Sequence, residues 1–411
     1  MSLDTIEIKT ETAKQVDSRR GRDLKLLTFT TFCMSFGFGA FSAVVTNFAV
    51  LVLHISARQQ GLVESVRETP GFLIVLVAAL TMRIAEPILA MVALFLIAAG
   101  MAATAGVNTY LTYVLFSLVW SIGIHSWMTL QPSMALSLAD PRSKGCRLGQ
   151  LSGVAGLGTI LGMGLVLLAG KHIGMRNLFL ISGCVIGLGA IAVGAMSRDI
   201  GHKEKPRFVW KQKYSLYYTL TFLEGCRKQV FMTFAIFVLV KNYSTEFRTV
   251  ALLMIINNLA NFILGPRVGR LIDHLGERKV VSFCYAALIP VFIGYAYAKS
   301  THTLYVLYCL DSLFFLGSMG LNTYLHKIAE PADFQPTVAM GVTANHTAAV
   351  IVPLVGGYVW SKFGYPVTFY GGAFVVAISV LTALRIPAES HRPDATKTAS
   401  VGEVIGKSDK F

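Results

Sequence analysis

The sequence predicts an all-α polytopic membrane protein with twelve transmembrane helices in two pseudo-symmetric bundles of six. Of its 411 residues, 54% are hydrophobic and only 14% are charged, and the mean hydropathy is +0.60. Soluble domains carry about 25% charged residues. Long apolar runs recur from Leu24 to Ile386, and most approach the ~20 residues that a helix needs to cross ~30 Å of hydrocarbon. Runs this continuous exclude the alternating pattern of a membrane β-barrel.

Twelve spans follow from these runs, and their even number places both termini on one side of the membrane. The spans cover residues 24–53, 60–82, 86–106, 109–137, 148–170, 177–197, 214–240, 248–271, 279–298, 302–326, 338–361 and 367–386. The basic stretch 198–213 falls between the sixth and seventh spans. We therefore expect a tail at 1–23, a six-helix bundle at 24–197, a linker at 198–213, a second bundle at 214–386 and a tail at 387–411.

Positive charge is distributed unequally between the two sides of the predicted membrane. The polar segment 1–23 lacks the apolar core of a secretory signal, so it is expected to be a cytosolic tail. Most Lys and Arg residues share its side, which predicts a plasma (bacterial inner) membrane protein with both termini in the cytosol. The net charge of +14 then requires no nucleic-acid partner. The loops on the other side carry few basic residues: Arg58, Lys171, Arg176, Lys241, Arg248, Lys299 and Lys362.

The two predicted bundles resemble one another in sequence. The fragment YVLFSL from Tyr113 matches YVLYCL from Tyr305, and FAVLVL from Phe48 matches FAIFVLV from Phe234 at a similar separation. Duplicated halves are typical of transporters that bind their substrate at the repeat interface and rock about it. Chance similarity between apolar segments is the alternative, and several matches in the same order argue against it.

One loop carries a specific motif, GPRVGRLIDHLGERKV, between the eighth and ninth spans. It closely resembles the cytosolic loop signature of the major facilitator superfamily, and IVPLVGGYVWSKFGYP resembles that family's PxxGG segment in span eleven. In this motif we expect Gly269 to permit a close helix approach, Asp273 to cap a helix or pair with a basic residue, and Gly276 to form a tight turn. The resemblance implies a gate latch that is closed in the outward-facing state. Its residues are Gly265, Gly269, Arg270, Asp273, Gly276, Arg278 and Lys279.

Charged side chains inside the spans are the candidates for function, because each costs about +2.5 to +3.5 kcal/mol in a membrane helix. In span seven, Glu224 stands three and four residues before Arg227 and Lys228, so either an intrahelical ion pair or a transport site is possible. The resemblance implies that spans one, four, seven and ten line the central cavity. The candidates for substrate binding or coupling are Glu224, Arg227, Lys228, Asp311, His125, Asn322 and Gln131.

A second polar set lies in span two and at the aligned positions of span eight. We expect these side chains to form an outer gate or a helix interface: Glu64, Arg67, Glu68, Asn257 and Asn258. Proton coupling needs a group that can titrate, and Asp311 has no basic residue within a turn of its own helix, which favours it as the protonatable site. His125 is a second candidate for the same role.

The sequence contains no phosphate-binding GxxxxGK[ST], no HExxH, no GxSxG and no CxxC pair, so we predict no enzyme, no cofactor and no metal site. The predicted function is secondary active transport of a small polar solute, anionic or zwitterionic, by alternating access with H⁺ as coupling ion. The expected partners are that solute, H⁺ and the lipid bilayer, around a monomer. Proton-driven efflux of hydrophobic drugs is the alternative, and a non-transporting sensor or scaffold is the alternative from another class.

Overall fold

Twelve long helices make up the part of the chain that the structure, a computed structural model, describes: residues 3–73, 81, 83–140, 143–201 and 210–388, with side chains from residue 18. The helices are α1 Leu3–Leu51, α2 Ala57–Phe72, α3 Glu86–Ala103, α4 Tyr110–Ser137, α5 Lys144–Ile173, α6 Met175–Gly194, α7 Ser215–Tyr243, α8 Phe247–Leu275, α9 Glu277–Tyr297, α10 Thr301–Ile328, α11 Pro331–Phe363 and α12 Tyr365–Ala383.

Ten of these helices are long and apolar enough to span a membrane. The other two are α2, which borders the undescribed residues 74–80, and α7, which carries three charged residues near its middle. The predicted fold class is confirmed. The first helix begins at Leu3, so it extends through the segment expected to form the N-terminal tail. Residues 202–209 of the expected linker and 389–411 of the expected C-terminal tail lie outside the described residues.

The helix ends follow from local sequence. Ser56 and Gln59 form a capping box that starts α2, and the side chain of Thr109 caps α4. Gly174 and Gly364 connect α5 to α6 and α11 to α12 with φ of +80° and +86°. These conformations favour glycine because it has no Cβ. The same device thus closes the equivalent helix pair of each half.

Buried apolar side chains form two main clusters. One lies within α1–α6 with contributions from α7 and α8, and the other lies within α7–α12. At the start of α7, Tyr214 donates a hydrogen bond to Asp333 Oδ2 at 2.9 Å, and Lys211 lies 2.6 Å from the same oxygen. The end of the connection between the halves is therefore fastened to the beginning of α11.

The two halves contact each other at the end of the bundle that carries few basic residues. Asn47 Nδ2 donates to the carbonyl of Thr245 at 2.7 Å, and Lys241 Nζ donates to the carbonyl of Ile55 at 2.8 Å. Between α5 and α8, Arg248 Nε donates to the carbonyl of Leu167 at 2.7 Å. Together these bonds close this end of the junction.

Helices α2 and α11 approach most closely at glycines near the same end. A Cβ added at Gly61 would lie 2.1 Å from the carbonyl oxygen of Pro353, and one at Gly357 would lie 2.7 Å from that of Ala57. Small residues allow such approaches between membrane helices. The two halves are therefore in direct backbone contact here.

Toward the basic end, α5 and α8 move apart. A Cβ added at Gly149 or Gly153 of α5, or at Gly265 or Gly269 of α8, would meet no described atom within 4 Å. The close approach expected for Gly269 is absent for this reason. The junction is thus closed at one end and open along these helices at the end that carries the basic loops.

Candidate functional site

The most buried charge in the described part of the protein is the guanidinium of Arg227, on α7. Its Nη1 donates to Asp311 Oδ1 of α10 at 3.2 Å, and the two side chains are only 1% and 8% exposed. The guanidinium carbon also lies 4.9 Å from the ring centre of Phe315, within the range of a cation–π interaction. The pair joins two helices that the family resemblance places on the central cavity.

The spacing left two possibilities open for Glu224 and Arg227, an intrahelical ion pair or a transport site. In the structure Arg227 forms its ion pair with Asp311 of α10. Glu224 instead lies beside Ser318, in the 3-10 turn Leu316–Ser318 that interrupts α10. Asp311 therefore has a basic partner after all, supplied by a neighbouring helix. Sequence spacing shows only which residues are neighbours on the same helix. The partner of Arg227 comes from a different helix, because α7 and α10 cross at this point.

Lys228, the next residue of α7, points to a different helix. Its Nζ donates to Asn345 Oδ1 of α11 at 2.7 Å, and the side chain is only partly buried. The Arg227 guanidinium keeps Nε and Nη2 without a hydrogen-bond acceptor among the described residues. Two adjacent cations thus face the interior, and one of them has unused donors.

A second charged cluster lies on α2, where Glu64 and Arg67 are three residues apart. Arg67 pairs closely with Glu64, and its Nη2 lies 3.6 Å from Glu68 Oε1. Gln60 donates to Glu64 at 3.1 Å, and the Arg67 guanidinium lies 5.1 Å from the ring centre of Trp120 on α4. These contacts place α2 firmly against α4.

Glu68 also brings together two histidines from different helices. Its Oε2 lies 3.1 Å from Nδ1 of His346 on α11 and 3.7 Å from Nε2 of His125 on α4. The two imidazole rings lie 5.1 Å apart in an edge-to-face arrangement. The sequence interpretation named Glu68 and His125 but missed His346. A histidine inside an apolar span was the available signal.

The remaining predicted residues are less connected. Asn257 lies beside Tyr308 of α10, and Asn258 donates to the carbonyl of Met254 at 2.8 Å while facing Met163 of α5. Gln131 is partly buried and Asn322 is exposed, and neither side chain makes a hydrogen bond within the described chain. These last two are not brought into the charged clusters.

The predicted loop motif, residues 265–280, is helical on both sides of Gly276, in the last turns of α8 and the first turn of α9. Gly276 has φ of +81° and joins α8 to α9, as expected for a tight turn. Asp273 is exposed in the last turn of α8, neither caps α9 nor forms an ion pair within the described residues, and so departs from both expectations. Within the motif, Glu277 forms an ion pair with Lys327 of α10 at 2.8 Å. The separation of α5 from α8 leaves the remaining motif charges, Arg270, Arg278 and Lys279, at the open end.

Two helical halves in contact at one end, with buried charges at their junction, define the architecture of a secondary transporter. The chain belongs to the Major Facilitator Superfamily, whose family model matches residues 27–321 and 217–407. It is accordingly a multi-pass membrane protein of a transporter family. No match was found among curated proteins.

Solved transporters share this fold at low sequence identity. A mutant of the nucleoside transporter NupG matches with a TM-score of 0.74 and 14% identity over 89% of this chain and 98% of that chain. A bacterial homolog of the human lysosomal transporter Spinster, inward-facing and occupied, matches with 0.71 and 13% over 92% and 99%. A D-xylose–proton symporter matches with 0.69 and 13% over 90% and 99%. These likenesses establish the fold.

Proposed function

We propose that this protein is a secondary active transporter that carries a small anionic or zwitterionic solute by alternating access, coupled to protons. The observation that carries the proposal is the pair of adjacent cations on α7, Arg227 and Lys228. Arg227 binds Asp311 through Nη1 only, and its Nε and Nη2 have no hydrogen-bond acceptor among the described residues. A guanidinium with free donors suits a carboxylate or phosphate, because it can bind two oxygens at once.

Coupling follows from the competition for Arg227. A substrate anion that binds the guanidinium takes the place of Asp311, and the buried carboxylate then loses its counter-ion. An unpaired charge inside a membrane bundle is costly, so Asp311 is best accommodated by taking up a proton. One anion and one proton therefore enter together, and Arg227 returns to Asp311 when both have left.

The conformational cycle uses the two ends of the junction. The contacts at Gly61 and Asn47 must open, and α5 and α8 must close toward the basic end. In the closed basic end, Asp273 of the loop motif pairs with basic residues, as the family resemblance implies. By the positive-inside rule this end faces the cytosol, with both termini on that side and the protein acting as a monomer in the plasma membrane.

The solved transporters of similar fold support a polar solute and a proton gradient. They include proteins described as a nucleoside transporter, a peptide transporter and a D-xylose–proton symporter. Those substrates are known only for those proteins. The anionic preference proposed for this chain rests on its own Arg227 and Lys228.

The test is uptake of a panel of organic anions, zwitterions and neutral sugars into proteoliposomes, with and without an imposed pH gradient. We expect accumulation of an anionic or zwitterionic solute driven by the gradient, abolished in Arg227→Gln and uncoupled from the gradient in Asp311→Asn. Lys171→Gln, which removes an exposed basic residue at the end of α5, is the matched control and should behave as wild type. Normal coupled transport by both site variants would refute the proposed site.

A second candidate, proton-driven efflux of hydrophobic drugs, is favoured by one cavity. It lies between α8 and α10, has a volume of about 360 Å³ and is lined almost entirely by apolar side chains, among them Leu253, Ile256, Leu310 and Leu313. Cavities of this size and character hold drug-sized ligands. Gradient-driven movement of a lipophilic cation dye, with no movement of organic anions, would favour this candidate over the first.

A further inference from the structure

Three potential metal ligands from three helices meet where the two halves touch. Glu68 comes from α2, His125 from α4 and His346 from α11, and their side chains are 14%, 7% and 15% exposed. We propose that these residues bind a divalent transition-metal cation such as Zn²⁺, and that the bound metal holds the two halves together at this point of their junction. The proposal concerns metal binding by the folded chain and does not depend on the transported solute.

The distances suit a metal with few protein ligands. Oε2 of Glu68 lies 3.1 Å and 3.7 Å from the two imidazole nitrogens, and all three ligand atoms lie within 4.8 Å of one another. Zn–N and Zn–O bonds of about 2.0–2.2 Å in a tetrahedron place ligand atoms roughly 3.3 Å apart. The widest separation therefore has to close by no more than about 1.5 Å, which rotation of an imidazole can supply. Two nitrogens and one carboxylate oxygen suit zinc, nickel and cobalt.

Hydrogen bonding orients His125 as a ligand. Its Nδ1 lies 2.9 Å from the carbonyl oxygen of Ser121, which can only accept, so Nδ1 carries the hydrogen. In the neutral ring the lone pair on Nε2 then faces Glu68 Oε2, and two electron-rich atoms face each other at 3.7 Å. A cation between them relieves this repulsion. Metal-bound histidines typically donate their other nitrogen to a carbonyl or carboxylate in this way.

The backbone of α2 encloses the site. A Cβ added at Gly71 would lie 2.5 Å and 2.6 Å from Cδ2 and Nε2 of His125 and 2.6 Å from Cε1 of His346. Any residue other than glycine at this position would therefore clash with the imidazole rings of His125 and His346. Both imidazoles therefore lie directly against the helix that carries Glu68.

Neighbouring charges determine the expected affinity. Arg67 pairs mainly with Glu64, so Oε2 of Glu68 remains directed at the histidines. The positive charge of Lys228 is close enough to interact with the carboxylate of Glu68, and its Nζ donates a hydrogen bond to Asn345, the residue before His346. Its positive charge opposes a metal cation, which gives a sharp expectation: removing that charge in Lys228→Gln should tighten metal binding, although the lysine contacts no ligand atom.

The experiment uses the full-length protein in detergent, free of any affinity tag and stripped with a chelator. Titration with ZnCl₂ is followed by calorimetry, and CoCl₂ replaces it for visible absorption spectra. We expect one metal per chain, a Co²⁺ spectrum of tetrahedral intensity and a rise in melting temperature on adding Zn²⁺. Each of Glu68→Gln, His125→Gln and His346→Gln should weaken binding at least about 10-fold, since even outer-shell partners of metal ligands contribute roughly 10–100-fold.

His172→Gln, at the exposed end of α5, is the matched control and should bind as wild type. Melting temperatures of all variants without metal show whether each one folds, and Lys228→Gln provides a gain of affinity that loss of folding cannot imitate. Binding that persists in the double variant His125→Gln/His346→Gln overturns the proposal. So does a wild-type protein that takes up no Co²⁺ or Zn²⁺ stoichiometrically, in which case the cluster holds only a proton.

Discussion

Removing the carboxylate of Asp311 leaves the Arg227 guanidinium buried without its counter-ion. The pair spans α7 and α10 at 3.2 Å, and the arginine side chain is 1% exposed, so water cannot replace the lost partner. Loss of one member of a buried ion pair costs about 3–5 kcal/mol. We therefore expect Asp311→Asn to destabilise the protein by about that amount, with the Phe315 ring offsetting ~1 kcal/mol or less of it.

Replacing Arg227 as well separates the effect on stability from the effect on transport. Arg227→Met leaves a carboxylate that can take up a proton, so its cost should be smaller and should decline as the pH falls. The double variant Arg227→Met/Asp311→Asn contains no unpaired charge, and replacing a buried pair by uncharged residues is often neutral. The double-mutant cycle should therefore yield a coupling energy of several kcal/mol, well above the ~0.2–1 kcal/mol of exposed pairs.

The assay is thermal and denaturant unfolding in detergent, together with uptake into proteoliposomes. A double variant that is as stable as wild type but shows no gradient-driven uptake is the expected result. Single variants that each cost less than ~1 kcal/mol would refute the description of a dry, buried pair. A stable double variant that transports with full proton coupling would show that the pair only fastens α7 to α10.

Two further predictions concern other contacts. Gly61→Ala should push α2 away from α11, because the added Cβ would lie 2.1 Å from the carbonyl oxygen of Pro353. Such overpacking costs about 1–3 kcal/mol, so the variant should have a lower melting temperature and slower uptake. Gly164→Ala is the control: no described atom lies within 4 Å of its Cβ, and it should change neither property. The hydrogen bond from Lys213 lowers the pKa of Glu330. The pair therefore stabilises the fold above the ordinary pKa of a glutamate, and its contribution is lost as the pH falls through the lowered value. Glu330→Gln should accordingly reduce the melting temperature at pH 7 and not in strong acid or high salt, and a difference that persists in acid would contradict the pairing.

The helices themselves were readable because the signal is local. An apolar run of about 20 residues predicts a span wherever it occurs, and the predicted fold class is confirmed. Boundaries were less accurate: α11 begins at Pro331 rather than at 338, since a helix continues into polar residues beyond the hydrocarbon. Gly276 was also predictable, because a turn that needs a positive φ restricts the residue type.

The candidate site was only partly predictable. Arg227, Asp311, Glu68 and His125 stood out because ionisable residues are rare in membrane spans. The pairing between them did not, since Arg227 and Asp311 meet only through the crossing of α7 and α10. The proposed roles of these residues in transport stay predictions.

By itself, the sequence determined the number of spans, the duplicated halves and the family, because each depends on composition, spacing or a contiguous motif. Only the tertiary structure decided which charges meet, that His346 of α11 joins Glu68 of α2, and which end of the junction is closed. The physical reason is one of distance: a helix places residues three and four apart side by side, whereas packing between helices joins atoms hundreds of residues apart and leaves no periodic trace in the chain.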